Sequence, residues 1–285
     1  MRARADLHTH SILSDGSDTP TTLLRMADEL QLGGIALTDH DTVKGLREFM
    51  DADASPDLQR VPGVEMSADY NGKEVHILGY FVPLDSDELN DRLENLRTRR
   101  ETKFSRMVQR LRDLGIDVKQ NELDEVLQGV ESQARPHLAR VLVQKGIVSS
   151  TTEAFEVFLG EGKPAYVKKE RPSASEVIAF LRSIGAVPVV AHPLTIGVAN
   201  LRAFLKLLKQ WGIEGVEAEY DYGPVGIVGG PKDVQAAAYG LGLIETGGSD
   251  YHGTSVVMAD LGTHTVSVEV IEKLRKAAKV ILSEG

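Results

Sequence analysis

Six of the eight histidines in this chain fall where a predicted strand is ending, and most have a carboxylate beside them. They occur in the runs Asp6-Leu7-His8-Thr9-His10, Thr38-Asp39-His40-Asp41, Val75-His76, Ala191-His192-Pro193 and Ser249-Asp250-Tyr251-His252. Glu65 closes a further strand-like run, Val61-Pro62-Gly63-Val64-Glu65. Imidazole and carboxylate are the donors that hold Zn, Mn and Fe. Donors delivered singly from the ends of many strands suggest a polynuclear metal centre at one mouth of a barrel.

Composition narrows the chemistry. The chain has 285 residues and no Cys, which removes disulfides, thiolate metal sites and cysteine nucleophiles together. A formal net charge of −10 argues against a protein that coats polyanions such as duplex DNA. A phosphate-bearing substrate would need locally concentrated cations or bound metal. The first six residues hold no apolar signal core. The most membrane-like stretch, 184–201, contains Pro188, His192 and Pro193, and reads better as a buried strand leaving into a loop. A soluble, cytoplasmic chain with no membrane partner is the expectation; the sequence says nothing of oligomeric state.

Strand–helix alternation dominates both ends of the chain. A strand over about 4–9 leads to Thr19 as N-cap and Pro20 at the first helical position, with Leu23, Leu24, Ala27 and Leu30 as the apolar stripe. A short strand over 35–38, a helix over about 43–51 and the strand ending at Glu65 follow. Asn71-Gly72 lies between two apolar-alternating runs and predicts a two-residue hairpin, which brings Glu65 and His76 within reach on neighbouring antiparallel strands. Residues 86–114 read as one long helix, and 121–129, 136–145 and 151–159 as further helices, before a strand at 165–167. Ser173 and Glu176 form a capping box, and alternation resumes with strands over 187–191, 215–219 and 243–246 and helices over 201–211 and 234–239. Such units imply a parallel sheet, closed or open, and the candidate ligands sit where barrel enzymes place their chemistry.

Each donor also has an ordinary explanation. His8 and His10, two apart on an extended segment, share a face. Asp15 lies in a Ser-Asp-Gly turn that would form without any ligand. Asp41 can cap a helix while His40 points inward. Glu65 is flanked by apolar residues, and an ion bridge or a salt bridge would offset its burial. His192 alone reads as a core histidine, although Pro193 turns the chain away and leaves it at the sheet rim. Glu217 reads as a salt-bridge partner in a strand, and His264 has no adjacent carboxylate. Nine donors remain at strand ends, His8, His10, Asp15, His40, Glu65, His76, His192, Asp250 and His252. With one shared carboxylate they suit two or three divalent ions.

Taken in order, these motifs resemble the polymerase and histidinol phosphatase (PHP) superfamily of metal-dependent phosphoesterases. The resemblance covers essentially the whole chain and implies an α/β fold, a distorted seven-stranded (β/α) barrel over 1–85 and 164–285. A helical insertion over 86–163 would cap the substrate. It also implies a trinuclear centre, Mn before Fe or Zn. His8, His10, Glu65 and Asp250 would hold one ion; Glu65, His76 and His192 a second, with Glu65 bridging; and Asp15, His40 and His252 a third. Ala134-Arg135-Pro136-His137-Leu138-Ala139-Arg140 and Gly160-Glu161-Gly162-Lys163-Pro164 resemble the branch of nucleoside 3′,5′-bisphosphate phosphatases and the related 5′→3′ exoribonuclease. There Arg135, His137 and Lys163 would face substrate phosphates, although without the family a solvated helix surface is the simpler reading. Leu194-Thr195-Ile196 departs from the glycine-containing loop usual in that branch. The implied activity is hydrolysis of a 3′-phosphate on a small nucleotide or at a short RNA end, through cation-activated solvent. A histidinol-phosphate-type phosphatase and a non-catalytic nucleotide- or metal-binding barrel are the alternatives.

Overall fold

Thr19 accepts a hydrogen bond from the Thr22 backbone N–H, and Pro20 supplies a preset φ with no donor to satisfy. These two residues start the first helix, as the sequence expects. The structure is a computed structural model that describes residues 3–127, 135–167, 171–253 and 259–284. The ordered elements are β1 (Arg4–Asp6), α1 (Pro20–Glu29), β2 (Gly34–Leu37), α2 (Leu46–Asp51), β3 (Gln59–Tyr70) and β4 (Lys73–Tyr80). Next come α3 (Asp87–Asp113), α4 (Gln120–Leu127), α5 (Arg135–Gln144), α6 (Thr151–Ala154) and a π-helical turn, Phe155–Leu159. The last two positions of the helix expected over 121–129, and Ala134, lie outside the described residues. The chain continues through α7 (Ala174–Ser183), β5 (Val187–Val190) and a 3₁₀ turn, Pro193–Ile196. It ends with α8 (Leu201–Gln210), β6 (Gly215–Glu219), α9 (Pro231–Ala238), β7 (Ile244–Gly247), β8 (Val266–Ser267) and α10 (Glu269–Glu284).

The strands form one sheet in the order β7-β6-β5-β4-β3-β2-β1-β8. Beyond β1 and β7 the chain nearly closes it into a barrel. The Leu7 N–H donates to the Gly247 carbonyl (3.1 Å), Asp250 N–H to His8 (2.9 Å) and His10 N–H to Tyr251 (2.9 Å). Among the described residues the strand count is eight, not seven, because the two-residue β8 pairs antiparallel with β1 at Arg4 and Ala5. The sheet is mixed, since β3–β4 and β4–β5 are antiparallel. That reversal follows from Asn71 and Gly72, both at positive φ (51° and 84°), the geometry of a tight hairpin turn.

The chain divides into two compact units, Met1–Asn90 with Arg171–Gly285, and Asp91–Glu170. Apolar residues of β1, β2, β3, β4, β5 and α10 make one core cluster of the first unit. The second unit has its own core, with Met107, Leu111, Leu138, Leu142 and Leu159 among its buried members. Residues 165–167 form a turn and irregular chain instead of the expected strand; Ala165 buries itself there against the helices. No helix among the described residues is long and apolar enough to cross a membrane.

Candidate metal centre

Glu65 lies within β3, not at its end, opposite Leu78, while His76 lies opposite Ser67. This diagonal register across the hairpin brings the two side chains together. Glu65 is fully buried, and its two oxygens face different rings. Oε2 lies 3.3 Å from His8 Nε2, 3.3 Å from His10 Nε2 and 2.9 Å from His40 Nδ1. Oε1 lies 3.0 Å from His76 Nδ1 and 3.1 Å from His192 Nε2. Asp250 Oδ1 approaches His8 Nε2 (3.2 Å) and His10 Nε2 (3.0 Å). Asp15, on the loop after β1, is 3.3 Å from His252 Nε2 and 3.8 Å from His40 Nε2. All nine sequence-selected donors therefore converge.

Among the described residues three groups offer ligand atoms close enough to share an ion: His8-His10-Glu65-Asp250, His40-Glu65-His76 and His10-Asp15-His40-His252. The first has the composition expected from sequence. The second has His40 where the expectation had His192 beside Glu65 and His76, and the third adds His10 to the expected Asp15, His40 and His252. His192 nonetheless meets Glu65 on the Oε1 side.

A test of fit comes from hydrogen bonding. His8 Nε2, His10 Nε2, Glu65 Oε2 and Asp250 Oδ1 are all buried without a hydrogen-bond partner among the described residues, as are His40 Nδ1 and His76 Nδ1. Buried polar atoms are rarely left so. A tetrahedral ion with arms of roughly 2.1 Å separates its ligands by about 3.4 Å, close to the spacings here. The donor set fits divalent cations.

Charge supports the same conclusion. Burial disfavours charge on His10, yet Asp250 and Glu65 outweigh it and push its pKa up to about 10. Burial likewise opposes charge on His76, and Glu65 and Glu74 raise it to about 10. Burial should raise the carboxyl pKa of Glu65, but the surrounding His40, His76 and His8 hold it well below the usual range. Asp250 is depressed against burial mainly by His8 and His10. A cage this negative gathers protons when it lacks cations, and cations compete for the same nitrogens.

A further ring of contacts aims the donors. Glu217 Oε1 meets His8 Nδ1 at 2.9 Å, and Oε2 accepts from the His192 backbone N–H at 2.8 Å. The Thr195 hydroxyl donates to the His192 carbonyl (2.9 Å) and so accepts from Nδ1 (3.0 Å), leaving Nε2 toward Glu65. The Tyr220 hydroxyl donates to Asp250 Oδ2 at 3.0 Å. Asp39 accepts from the Ser11 N–H and from the Ser11 and Ser14 hydroxyls, which fixes the loop that carries Asp15. The N-cap of α2 is Gly45, with no side-chain cap bond, and Asp41 accepts from Ser67 N–H and Oγ on β3. Asp41, His192 and Asp250 hold positive φ (49°, 25° and 54°), strained backbone of the kind that functional sites retain.

Sequence reasoning missed Glu217, Tyr220 and Thr195 as parts of this site. Glu217 carried a usable signal, a carboxylate between Val216 and Ala218 in a strand, the same anomaly that marks Glu65. His264 stands apart from the nine, with Nδ1 3.1 Å from Glu219. In the helical unit the Arg135 guanidinium lies over the Phe155 and Tyr166 rings (5.6 and 5.8 Å), His137 is buried and Lys163 is exposed. A solvated surface therefore describes Lys163 but not His137.

Comparison with known proteins agrees with this geometry. The PHP domain family matches residues 6–156. The chain is 32% identical to a 5′–3′ exoribonuclease of Haemophilus influenzae over 76% of this chain and 79% of that one. It is also 32% identical to a 3′,5′-nucleoside bisphosphate phosphatase of Chromobacterium violaceum over 67% of each chain. Among solved structures, a protein of Bifidobacterium adolescentis described as a metal-dependent phosphoesterase superposes with a TM-score of 0.77 at 26% identity, covering 96% of both chains.

Proposed function

This chain belongs to the PHP domain family and is a metal-dependent phosphoesterase, and from that premise we propose that it removes the 3′-phosphate from nucleoside 3′,5′-bisphosphates. Stepwise 5′→3′ cleavage at short 5′-phosphorylated RNA ends is the same chemistry with the same leaving group, the attacked phosphorus there being esterified to the rest of the chain. In both, the scissile bond is a 3′-phosphoester of a 5′-phosphorylated nucleotide. That shared bond unites the activities for which the two relatives are named.

The observation that carries the reading is the set of buried donor atoms around Glu65 that make no hydrogen bond. We assign His8, His10, Glu65 and Asp250 to one ion, Glu65, His76 and His192 to a second, and Asp15, His40 and His252 to a third, with Mn as the metal. The separate facing of the two Glu65 oxygens supports the bridging role. Divalent cations, when bound, supply a nucleophile from water near neutral pH and positive charge for the phosphoryl oxygens. The protein supplies the rest. Glu65 and Asp250 concentrate negative charge in a dry cage, and Thr195 turns Nε2 of His192 inward. Arg135, His137 and Lys163 are carried as contacts to the second substrate phosphate, Arg135 as a bidentate grip and Lys163 as a point charge. Their support is the motif in which they stand.

Phosphate release tests the assignment. With Mn added, wild type should act on a nucleoside 3′,5′-bisphosphate at least tenfold better, by kcat/KM, than on the matching 3′-monophosphate, a preference of about 1.4 kcal/mol. Arg135→Ala and Lys163→Ala should erase most of that preference while keeping monophosphate turnover. Equal rates on both substrates in wild type would overturn the bisphosphate assignment, and equal release by wild type and Asp250→Ala would remove the enzyme reading altogether.

A further inference from the structure

Glu217 sits on β6 beside an irregularity in the pairing with β7, where the register shifts between Glu217 and Glu219. Bulges of this kind re-aim side chains. The carboxylate is fully buried, and His8 is its sole ion-pair partner among the described residues. An anion held so deep, with no Lys or Arg against it, is costly unless something else requires it. Two contacts state what that is. Oε2 accepts from the backbone N–H of His192, and Oε1 meets Nδ1 of His8. The first can only be a donation to oxygen. The second is one too in the Nδ1–H tautomer of His8.

We propose that Glu217 is a positioning residue that couples two ion positions. It fixes His8 as the Nδ1–H tautomer, which turns a bare Nε2 toward Glu65 and Asp250, and it pins the strained backbone of His192 so that this ring reaches the other Glu65 oxygen. His8 and His192 belong to different ligand sets, so one side chain sets the geometry of both. A carboxylate is needed because both oxygens must accept at once. Glutamine offers one acceptor and one NH₂ group, and must leave one of the two donors facing another donor. Partners of this kind to ligating histidines are worth roughly 10–100-fold in metal affinity.

The inference rests on the metal reading of the cage but not on the substrate. Titration of Mn into metal-free Glu217→Gln, followed by calorimetry and by the electron paramagnetic resonance of the bound ions, should show two classes of site weakened about 10–100-fold together. The class held by Asp15, His40 and His252 should keep its wild-type affinity. Unchanged affinity, loss at one class alone, or equal loss at all three overturns the proposal. Wild type that binds no Mn overturns the metal centre itself, a separate outcome. Should the variant not fold, the wild-type protein loaded with diamagnetic Zn still decides. Long-range ¹⁵N–¹H correlation should show His8 protonated at Nδ1 with a strongly downfield proton and metallated at Nε2, and the reverse assignment overturns the proposal.

Discussion

Glu65 joins more of the cage than any other side chain, because each oxygen meets a different set of rings. Glu65→Gln keeps the shape but removes the charge and one acceptor. Loss of a single oriented electrostatic contact in an active site costs about 10²–10³ in turnover, and Glu65→Gln should lose at least that, with bound Mn falling by at least one ion per chain. Steady-state phosphate release and metal analysis of the same preparation check both. Tyr220→Phe is a milder test at the same scale. It frees Asp250 Oδ2 while keeping the ring against His192 and Tyr222, and Mn affinity should drop by about tenfold without loss of fold, as read by titration calorimetry. The donors were legible because most of the histidines have a carboxylate close by in sequence, while Glu65 and His192 are polar residues set among apolar ones. Glu217 was legible only as a salt-bridge partner in a strand, which it is; that the partner is His8, 209 positions away, emerges only on barrel closure.

At the scale of elements, local chemistry was readable wherever the signal was local. The Thr19-Pro20 start, the Ser173–Glu176 box and the Asn71-Gly72 hairpin all form as their residue types dictate. Ser173→Ala should cost about 1 kcal/mol in urea unfolding and leave Mn binding unchanged, since the cap serves α7 alone. Gly72→Val should cost more than Ser173→Ala does. Its φ of 84° is open in space but strained for a β-branched residue, and the hairpin it closes aligns Glu65 with His76. A Gly72→Val protein with wild-type stability and wild-type Mn affinity would detach the hairpin from the site. The eighth strand was not readable because two residues carry no periodicity. α10 lies beyond the alternation traced in the sequence, although Val270, Ile271, Leu274, Ala278 and Ile281 recur at helical spacing. The antiparallel run β3-β4-β5 interrupts the parallel order because a two-residue turn leaves no length for a crossover.

For the whole molecule, metal and fold are linked through protons. In the metal-free protein His10 and His76 bind protons with pKa values raised to about 10, against 6.5 for the free side chain. Raised values contribute stability that is full below about pH 6.5 and fades as pH climbs toward 10. Glu65 and Asp250, depressed from 4.5 and 3.8, contribute stability present above those values and lost in acid. The thermal midpoint with chelator should therefore fall as pH moves from about 6.5 to about 8.5. With saturating Mn the gap between the two states should widen over the same interval, because ring nitrogens must shed protons to bind metal. Thermal denaturation followed by circular dichroism reads both curves, and a gap that narrows with pH would contradict the linkage. The convergence of residues from both ends of the sequence on one cage is the claim on which activity, stability and pH response all depend. Counting ions tests it most directly. After loading with Mn and exhaustive dialysis, elemental analysis should find at least two ions per chain in wild type and clearly fewer in Glu65→Ala. Less than one ion per wild-type chain, or equal content in the two proteins, would contradict it.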